Sequence, residues 1–422
     1  MRITLITGSA LTGGLVLSAL TAVAQTSGGP LLTFGFNQTF DSNDNLDLDP
    51  VSLGRSTQSL TGLSFGLFSD TGISSLAVDV GTALRILNGP SDPSTQYDVD
   101  ATTFDLAYAR NAANSSLTVD AYYSADQIDN LLTLGSFGPG VVVPIDLSLL
   151  NGTGIRRAYG LAAGVNLEQQ SPVSYQFGFG IDGLDYSDTT DPGLFNNHRT
   201  SVDGGVTMQL SPVTDLQVGL NYGTFTSDDP TNDYSDNYGI DLALTQTLPN
   251  GSAGLNFFAQ DFSDDGPRSG FSLSRDMALK AGALSASIGA TRLEGSDIEL
   301  TGDLSWQQTL PRGAIDVGMT RRVQNDSEDI TQLVSAMFAG YDHQINPLSQ
   351  LGFDMSYSWS EAVDTKDWTE TASFAAVYSR NVTKDWALDL GYRYQQREET
   401  YLDTAESNSV FLTLRRSWTA RP

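Results

Sequence analysis

The chain has 422 residues, no cysteine, and 50 acidic against 22 basic side chains, for a net charge of −28. That balance argues against a nucleic-acid partner, because phosphate binding needs clustered Lys and Arg. The missing cysteines exclude disulfides, thiolate metal sites and thiol nucleophiles, and no cofactor motif is visible.

The N-terminus comes first in chain order. Met1 and Arg2 precede an apolar stretch from Ile3 to Ala22, and Ala22-Val23-Ala24 supplies the small residues that a signal peptidase reads. Residues 1–24 therefore read as a signal peptide and 25–422 as the mature domain. An uncleaved anchor is the alternative, but no basic stop signal follows. Beyond this segment no apolar run reaches the roughly 18 residues of a membrane helix.

From Leu31 onward the dominant pattern is alternation. In Trp386–Gln395, residues Trp386, Leu388, Leu390, Tyr392 and Tyr394 share one face, while Ala387, Asp389, Gly391, Arg393 and Gln395 share the other. Successive side chains of a strand point to opposite faces, so this is one oily and one wet face. The pattern predicts strands at 31–40, 57–68, 73–86, 99–110, 114–124, 156–168, 172–186, 199–210, 213–226 and 236–248. It continues at 251–262, 268–278, 281–293, 297–309, 312–324, 331–344, 347–360, 368–381, 385–398 and 405–418.

The connections alternate as well. Tight ones such as Asp70-Thr71-Gly72, Ser211-Pro212-Val213 and Asn346-Pro347-Leu348 carry turn chemistry. Longer polar ones lie between them, at 41–56, 87–98, 125–155, 187–198, 227–235, 325–330 and 361–367. Strands of about ten residues exceed the soluble average of about 5–6, which weighs against a propeller or sandwich. Aromatic residues gather near strand ends, as at Trp306, Tyr357, Trp359, Tyr392, Tyr394 and Trp418, as interfacial girdles require. The fold expected is all-β: a closed antiparallel transmembrane barrel of about 20 strands (roughly 18–22), with both termini on the short-turn rim.

In these features, and in the final strand Ser409–Trp418, the sequence resembles the bacterial porin-like outer-membrane β-barrels over essentially all of the mature chain. The resemblance implies a Gram-negative outer-membrane location, contact with membrane lipid and lipopolysaccharide, and recognition of the last strand by the barrel assembly machinery. That strand departs from the family pattern: Thr419–Pro422 follow Trp418, and Arg416 interrupts the apolar face. No N-terminal plug domain of the siderophore-receptor kind is expected, and no separate periplasmic domain. No specific family is assigned, and a homo-oligomer is compatible with the pattern.

A ring this wide cannot be filled by side chains alone, so its inner face is the functional surface. By alternation the pore-lining candidates are Asp79, Asp105, Asp120, Asp182, Asp203, Asp241, Glu299, Asp303, Asp316, Asp354 and Asp389, with Arg85, Arg322 and Arg393 as the clearest basic residues. A lining of one sign concentrates counter-ions, so small polar or cationic solutes are expected to pass. The plainer reading is that these carboxylates merely keep the inner face wet.

The apolar 125–155 connection holds Leu131, Leu132, Leu134, Phe137, Val141 and Ile145 around Gly138-Pro139-Gly140. In the general porins the third external loop narrows the pore, and the resemblance implies the same here. A lid over the mouth and a contact with another protomer are the other readings. The acidic stretches Asp41–Asp49 and Ser227–Asp236 offer oxygen ligands but lack the ordered glycine and terminal glutamate of a helix-loop-helix calcium site. They read as solvated loops, with divalent bridging to lipopolysaccharide as the alternative, and no metal site is assigned. His198 and His343 lie near no recognisable nucleophile motif, so no enzyme is expected. The alternative to a channel is a barrel for export or surface interaction, its lumen closed by the 125–155 connection.

Overall fold

The computed structural model describes residues 29–90, 95–128, 153–189, 191–295, 298–326 and 329–421. The predicted signal peptide and most of the 125–155 connection lie outside these. Twenty strands are present among the described residues. The first ten are β1 (Leu31–Asn43), β2 (Ser56–Asp70), β3 (Ser74–Asn88), β4 (Gln96–Asn111), β5 (Ser115–Gln127), β6 (Ile155–Leu167), β7 (Val173–Ser187), β8 (Asn197–Ser211), β9 (Thr214–Ser227) and β10 (Tyr234–Leu248). The rest are β11 (Gly251–Phe262), β12 (Gly266–Leu279), β13 (Gly282–Arg292), β14 (Ile298–Leu310), β15 (Gly313–Asn325), β16 (Thr331–Asn346), β17 (Ser349–Ala362), β18 (Trp368–Asn381), β19 (Trp386–Glu399) and β20 (Ala405–Ala420).

Each strand pairs antiparallel with its sequence neighbours. The last pairs with the first, from Leu32 opposite Ala420 to Asn43 opposite Ser409, so the sheet is a closed barrel without an edge. Closure matters because an unpaired backbone group in hydrocarbon costs several kcal/mol. Side chains reinforce this seam at its long-loop end: Ser407 donates to Asn43 Oδ1 (2.8 Å), and Asn408 donates to Asp44 through both its backbone and its side chain.

Several strands, β1 and β10 among them, run further than alternation suggested. Asp41–Asn43, read as loop, continue β1 with Asp41 and Asn43 buried, and Tyr234 and Ser235 belong to β10. Ladder hydrogen bonds extend these strands past the last apolar residue, where period-2 hydropathy gives no signal. β4 also carries one extra residue, Asp100, where the register against Ala83 and Leu84 shifts.

The short connections lie on one rim, between β2 and β3, β4 and β5, and so on. At the first of these, Asp70 Oδ1 accepts from the Gly72 amide (2.7 Å), and Gly72 adopts φ 79°, which suits a residue without Cβ. Neighbouring turns on this rim are tied together. Glu168 accepts from Asn114 (2.7 Å) and Ser171 (2.8 Å), and these bonds hold its carboxyl below the usual range. The opposite rim carries 44–55, 89–95, 128–154, 188–196 and 228–233, but from β11 onward its connections shrink to 263–265, 293–297, 326–330, 363–367 and 400–404.

Burial is inverted relative to a soluble protein. Large apolar side chains such as Leu220 (61 % exposed), Leu300 (66 %) and Met355 (58 %) stand on the outer face, while Asp41, Gln58, Arg85, Arg393 and Arg397 are buried. Contacts between non-neighbouring strands identify the inner face. Arg199 of β8 donates to the Asp326 carbonyl and meets Asp329 at 3.5 Å, and Ser235 of β10 donates to Asp329, although the 326–330 connection joins β15 to β16. Such bonds pass through the interior, so Arg199, Ser235 and every residue in phase with them line it.

Candidate pore lumen

The register places all the predicted lining residues on the inner face. Asp79 stands opposite Asp105, and Asp120 opposite Ala107 and Ala162. Asp182 lies between Gly160 and Arg199, Asp203 between Gly178 and Asn221, and Asp241 between Gly219 and Phe258. Asp316 and Asp354 flank Gly340 from either side, and Asp342, which alternation had not singled out, stands opposite Gly352. Asp303 accepts from Ser287 (3.1 Å) and Thr320 (2.5 Å). Glu299 meets Arg321 at 3.4 Å.

A recurrent local device is an aspartate beside a cross-strand glycine. A Cβ on Gly178 would lie 2.1 Å from Asp203 Oδ1, and one on Gly66 would lie 2.7 Å from Asp79 Oδ1. The glycines leave room for the carboxylates to lie along the wall. Alternation reveals which face a residue takes, but this pairing depends on register between strands.

Most of the lining carboxylates and arginines occupy different levels, with Asp182 and Glu299 in the long-loop half and Arg415 in the short-turn half as the departures. Asp79, Asp105, Asp120, Asp316, Asp342, Asp354 and Asp389 lie in the half of their strands nearer the short turns, with Asp203, Asp241 and Asp303 close to the midpoint. Among the described residues, no Lys, Arg or His lies within ion-pair distance of Asp79, Asp105, Asp120, Asp203, Asp241, Asp316, Asp342 or Asp354. Asp316, Asp342 and Asp354 are near enough to interact electrostatically with one another, as are Asp79 and Asp105. Asp389 differs: Arg415 grips it through two nitrogens at 2.5 and 2.8 Å.

The long-loop half carries the arginines. Arg85 meets Asp100 at 3.5 Å and Asp98 at 4.0 Å; Arg393 lies over the Phe411 ring (5.1 Å) within reach of Asp41; Arg397 pairs with Glu399. Arg156 lies near Asp126, Arg199 covers Phe225 (5.1 Å), and Arg268 covers Phe262 (4.4 Å) while donating to Asn325 (3.2 Å). Arg322 stands opposite Val334 and is exposed. The sequence reading had singled out only Arg85, Arg322 and Arg393. Arg156, Arg199, Arg268 and Arg397 fall at or near the ends of the predicted strands 156–168, 199–210, 268–278 and 385–398, in phase with the lining residues, so alternation already carried the signal for their face; their loop partners carry no such signal.

Two described connections fold inward over this half. Leu46 (5 % exposed) and Leu48 (8 %) are buried in the 44–55 connection, where Asn45 donates to the carbonyls of Asp49 (2.7 Å) and Glu406 (2.9 Å). The 326–330 connection reaches β8 and β10 as described, and Thr331 beside it donates to Asp265. Burial holds the Asp265 carboxyl above its usual range, with Asp329 and Asp364 pushing the same way and Thr331 and Arg268 opposing. The expected constriction by 125–155 falls largely on residues outside the described ones.

The histidines pair with tyrosines. His198 Nδ1 lies 2.9 Å from Tyr159 Oη, and His343 Nδ1 lies 3.0 Å from Tyr341 Oη. Among the described residues no group of three or more His, Cys, Asp or Glu is arranged to hold a metal ion.

No protein-family model matches the sequence, and no curated protein matches it. Solved structures do resemble it. The siderophore receptor PirA from Pseudomonas aeruginosa aligns at 9 % identity and a TM-score of 0.52, covering 93 % of this chain and 81 % of that one. PirA from Acinetobacter baumannii aligns at 8 % and 0.51, covering 92 % and 80 %. OpdQ from Pseudomonas aeruginosa aligns at 13 % identity, covering 93 % and 98 %, but at a TM-score of 0.41. At these identities the two receptors show a shared barrel fold.

Proposed function

We propose that the protein is an outer-membrane channel of a Gram-negative bacterium, through which small polar solutes diffuse and cations pass ahead of anions. The observation that carries this reading is the vertical division of the lumen. Of the eight carboxylates without an ion-pair partner among the described residues, six line the half near the short turns, which bacterial barrels place in the periplasm, and two, Asp203 and Asp241, lie close to the midpoint. A lining of one sign in a low-dielectric wall raises the local concentration of counter-ions. Apart from the exposed Arg322, the arginines of the external half are compensated by carboxylates and, with the inward-folded connections, set the bore rather than the sign. The outer apolar face matches lipid, and the shared fold supports the location.

The test is the reversal potential of the purified protein in planar bilayers across a potassium chloride gradient. A cation preference is expected; a preference for chloride overturns the proposal. The second reading, a barrel for export or surface interaction with a closed lumen, draws on the cross-lumen bonds of Arg199 and Ser235. Single-channel recording separates the two, since a closed barrel passes no current.

A further inference from the structure

The outer face of β20 runs Val410, Leu412, Leu414, Arg416 and Trp418, so a cation stands on a surface otherwise suited to lipid. Its surroundings are built from the two strands beside it. Trp386 of β19 is its cross-strand partner, and the guanidinium lies 5.3 Å from that ring and 5.4 Å from the Trp418 ring. Phe36 is its partner on β1 and stands edge-on to Trp386 at 6.2 Å, while Trp418 stacks on Phe34 at 5.7 Å. The rings hold the guanidinium at the closing seam, near the short-turn ends of three strands.

The charge is not spent within the protein. Among the described residues no carboxylate lies within ion-pair distance of Arg416, and Asp389 on the neighbouring strand faces inward, taken by Arg415. Arg380, on the same outer face of β18, is also exposed and adds a second cation two strands away. A guanidinium stacked on aromatic faces keeps its N–H edge free, and that edge matches two phosphate oxygens. Trp and cationic residues at this depth are where a membrane presents its headgroups.

We propose that Arg416, held between Trp386 and Trp418, binds the phosphodiester of a phospholipid in the periplasmic leaflet, whose acyl chains lie along Leu412 and Leu414. The site rests on the barrel spanning the membrane with its short turns in the periplasm and does not depend on whether the lumen conducts.

The experiment is native mass spectrometry of the refolded protein in neutral detergent, titrated with phosphatidylglycerol, with folding checked by heat-dependent gel migration. Wild type should retain one phosphatidylglycerol. Arg416→Gln should reduce that occupancy about tenfold, and Arg416→Lys, which keeps the charge without the planar fork, about threefold. Arg55→Gln, at an exposed residue at the end of the 44–55 connection, should match wild type. If Arg416→Gln does not fold, Arg416→Lys decides. Equal retention by wild type and the folded Arg416 variants overturns the proposal, as does an equal loss in Arg55→Gln. Displacement of the lipid by excess inorganic phosphate would also overturn it, by showing a plain anion site. A barrel that binds the lipid yet passes no current would refute the channel and leave this site standing.

Discussion

Replacing Asp316, Asp342 and Asp354 together by asparagine removes three lumen charges while keeping side-chain shape. Asp316 and Asp354 sit on either side of Gly340, two strand spacings apart, which is about 10 Å, so a cation at that level lies about 8 Å from each carboxylate. In water each contributes about 0.5 kcal/mol at that distance, and three contribute about 1.5 kcal/mol before screening. At 0.15 M salt the Debye length is about 8 Å, which leaves about 0.6 kcal/mol. That enriches a monovalent cation about 2.6-fold and depletes an anion equally, a ratio of roughly sevenfold. At 1 M the Debye length is about 3 Å and the same charges change the ratio by less than about 1.5-fold. The triple variant should therefore lose roughly sevenfold of its cation-to-anion permeability ratio near 0.15 M and almost nothing near 1 M. Reversal potentials of wild type and variant, measured at both salt levels, check this. A folded variant with an unchanged reversal potential at low salt would refute the assignment of selectivity to these carboxylates.

Three further outcomes follow from the described contacts. Arg199→Ala with Ser235→Ala removes the bonds that hold Asp326 and Asp329 across the lumen, so single-channel conductance should rise by tens of per cent; an unchanged conductance would mean these contacts do not set the bore. Asp389→Asn breaks the two-nitrogen grip of the half-exposed Arg415 and should lower stability by about 1–2 kcal/mol in urea unfolding from lipid vesicles, with a neutral result arguing that water screens the pair. Asp265 has its pKa raised by burial, so its ionised form costs stability above that pKa and the cost is relieved as pH falls through it. Asp265→Asn should therefore be more heat-stable than wild type at neutral pH, and the difference should shrink on acidification; a difference that grows in acid contradicts the sign.

Much of the fold was legible because a membrane barrel writes its solvent into its sequence. Outward residues meet lipid and inward ones meet water, so a period of two marks Trp386 to Gln395 or Leu216 to Gly223 as strands and sorts Asp203 from Val202 without knowledge of any partner strand. The face of each predicted lining aspartate follows from that local rule, while the alternation of tight and long connections is a second, independent signal. Strand ends did not, since Asp41 and Asn43 stay in β1 through ladder bonds that hydropathy does not report.

Only the tertiary structure decided which lining charges stand alone. Asp316 and Asp354 are alike in sequence to Asp389, yet Asp389 is held by Arg415 from the next strand, whereas the other two face each other across Gly340. Arg199 finds Asp329 across the lumen, 130 residues on. Alternation is a property of neighbours along one chain segment, while charge compensation depends on register and on connections that turn inward, and both are settled only when the ring closes. So the sequence by itself determined a barrel with one polar and one apolar face, and closure decided which polar-face acids, such as Asp389, meet a cation and which, such as Asp316 and Asp354, do not.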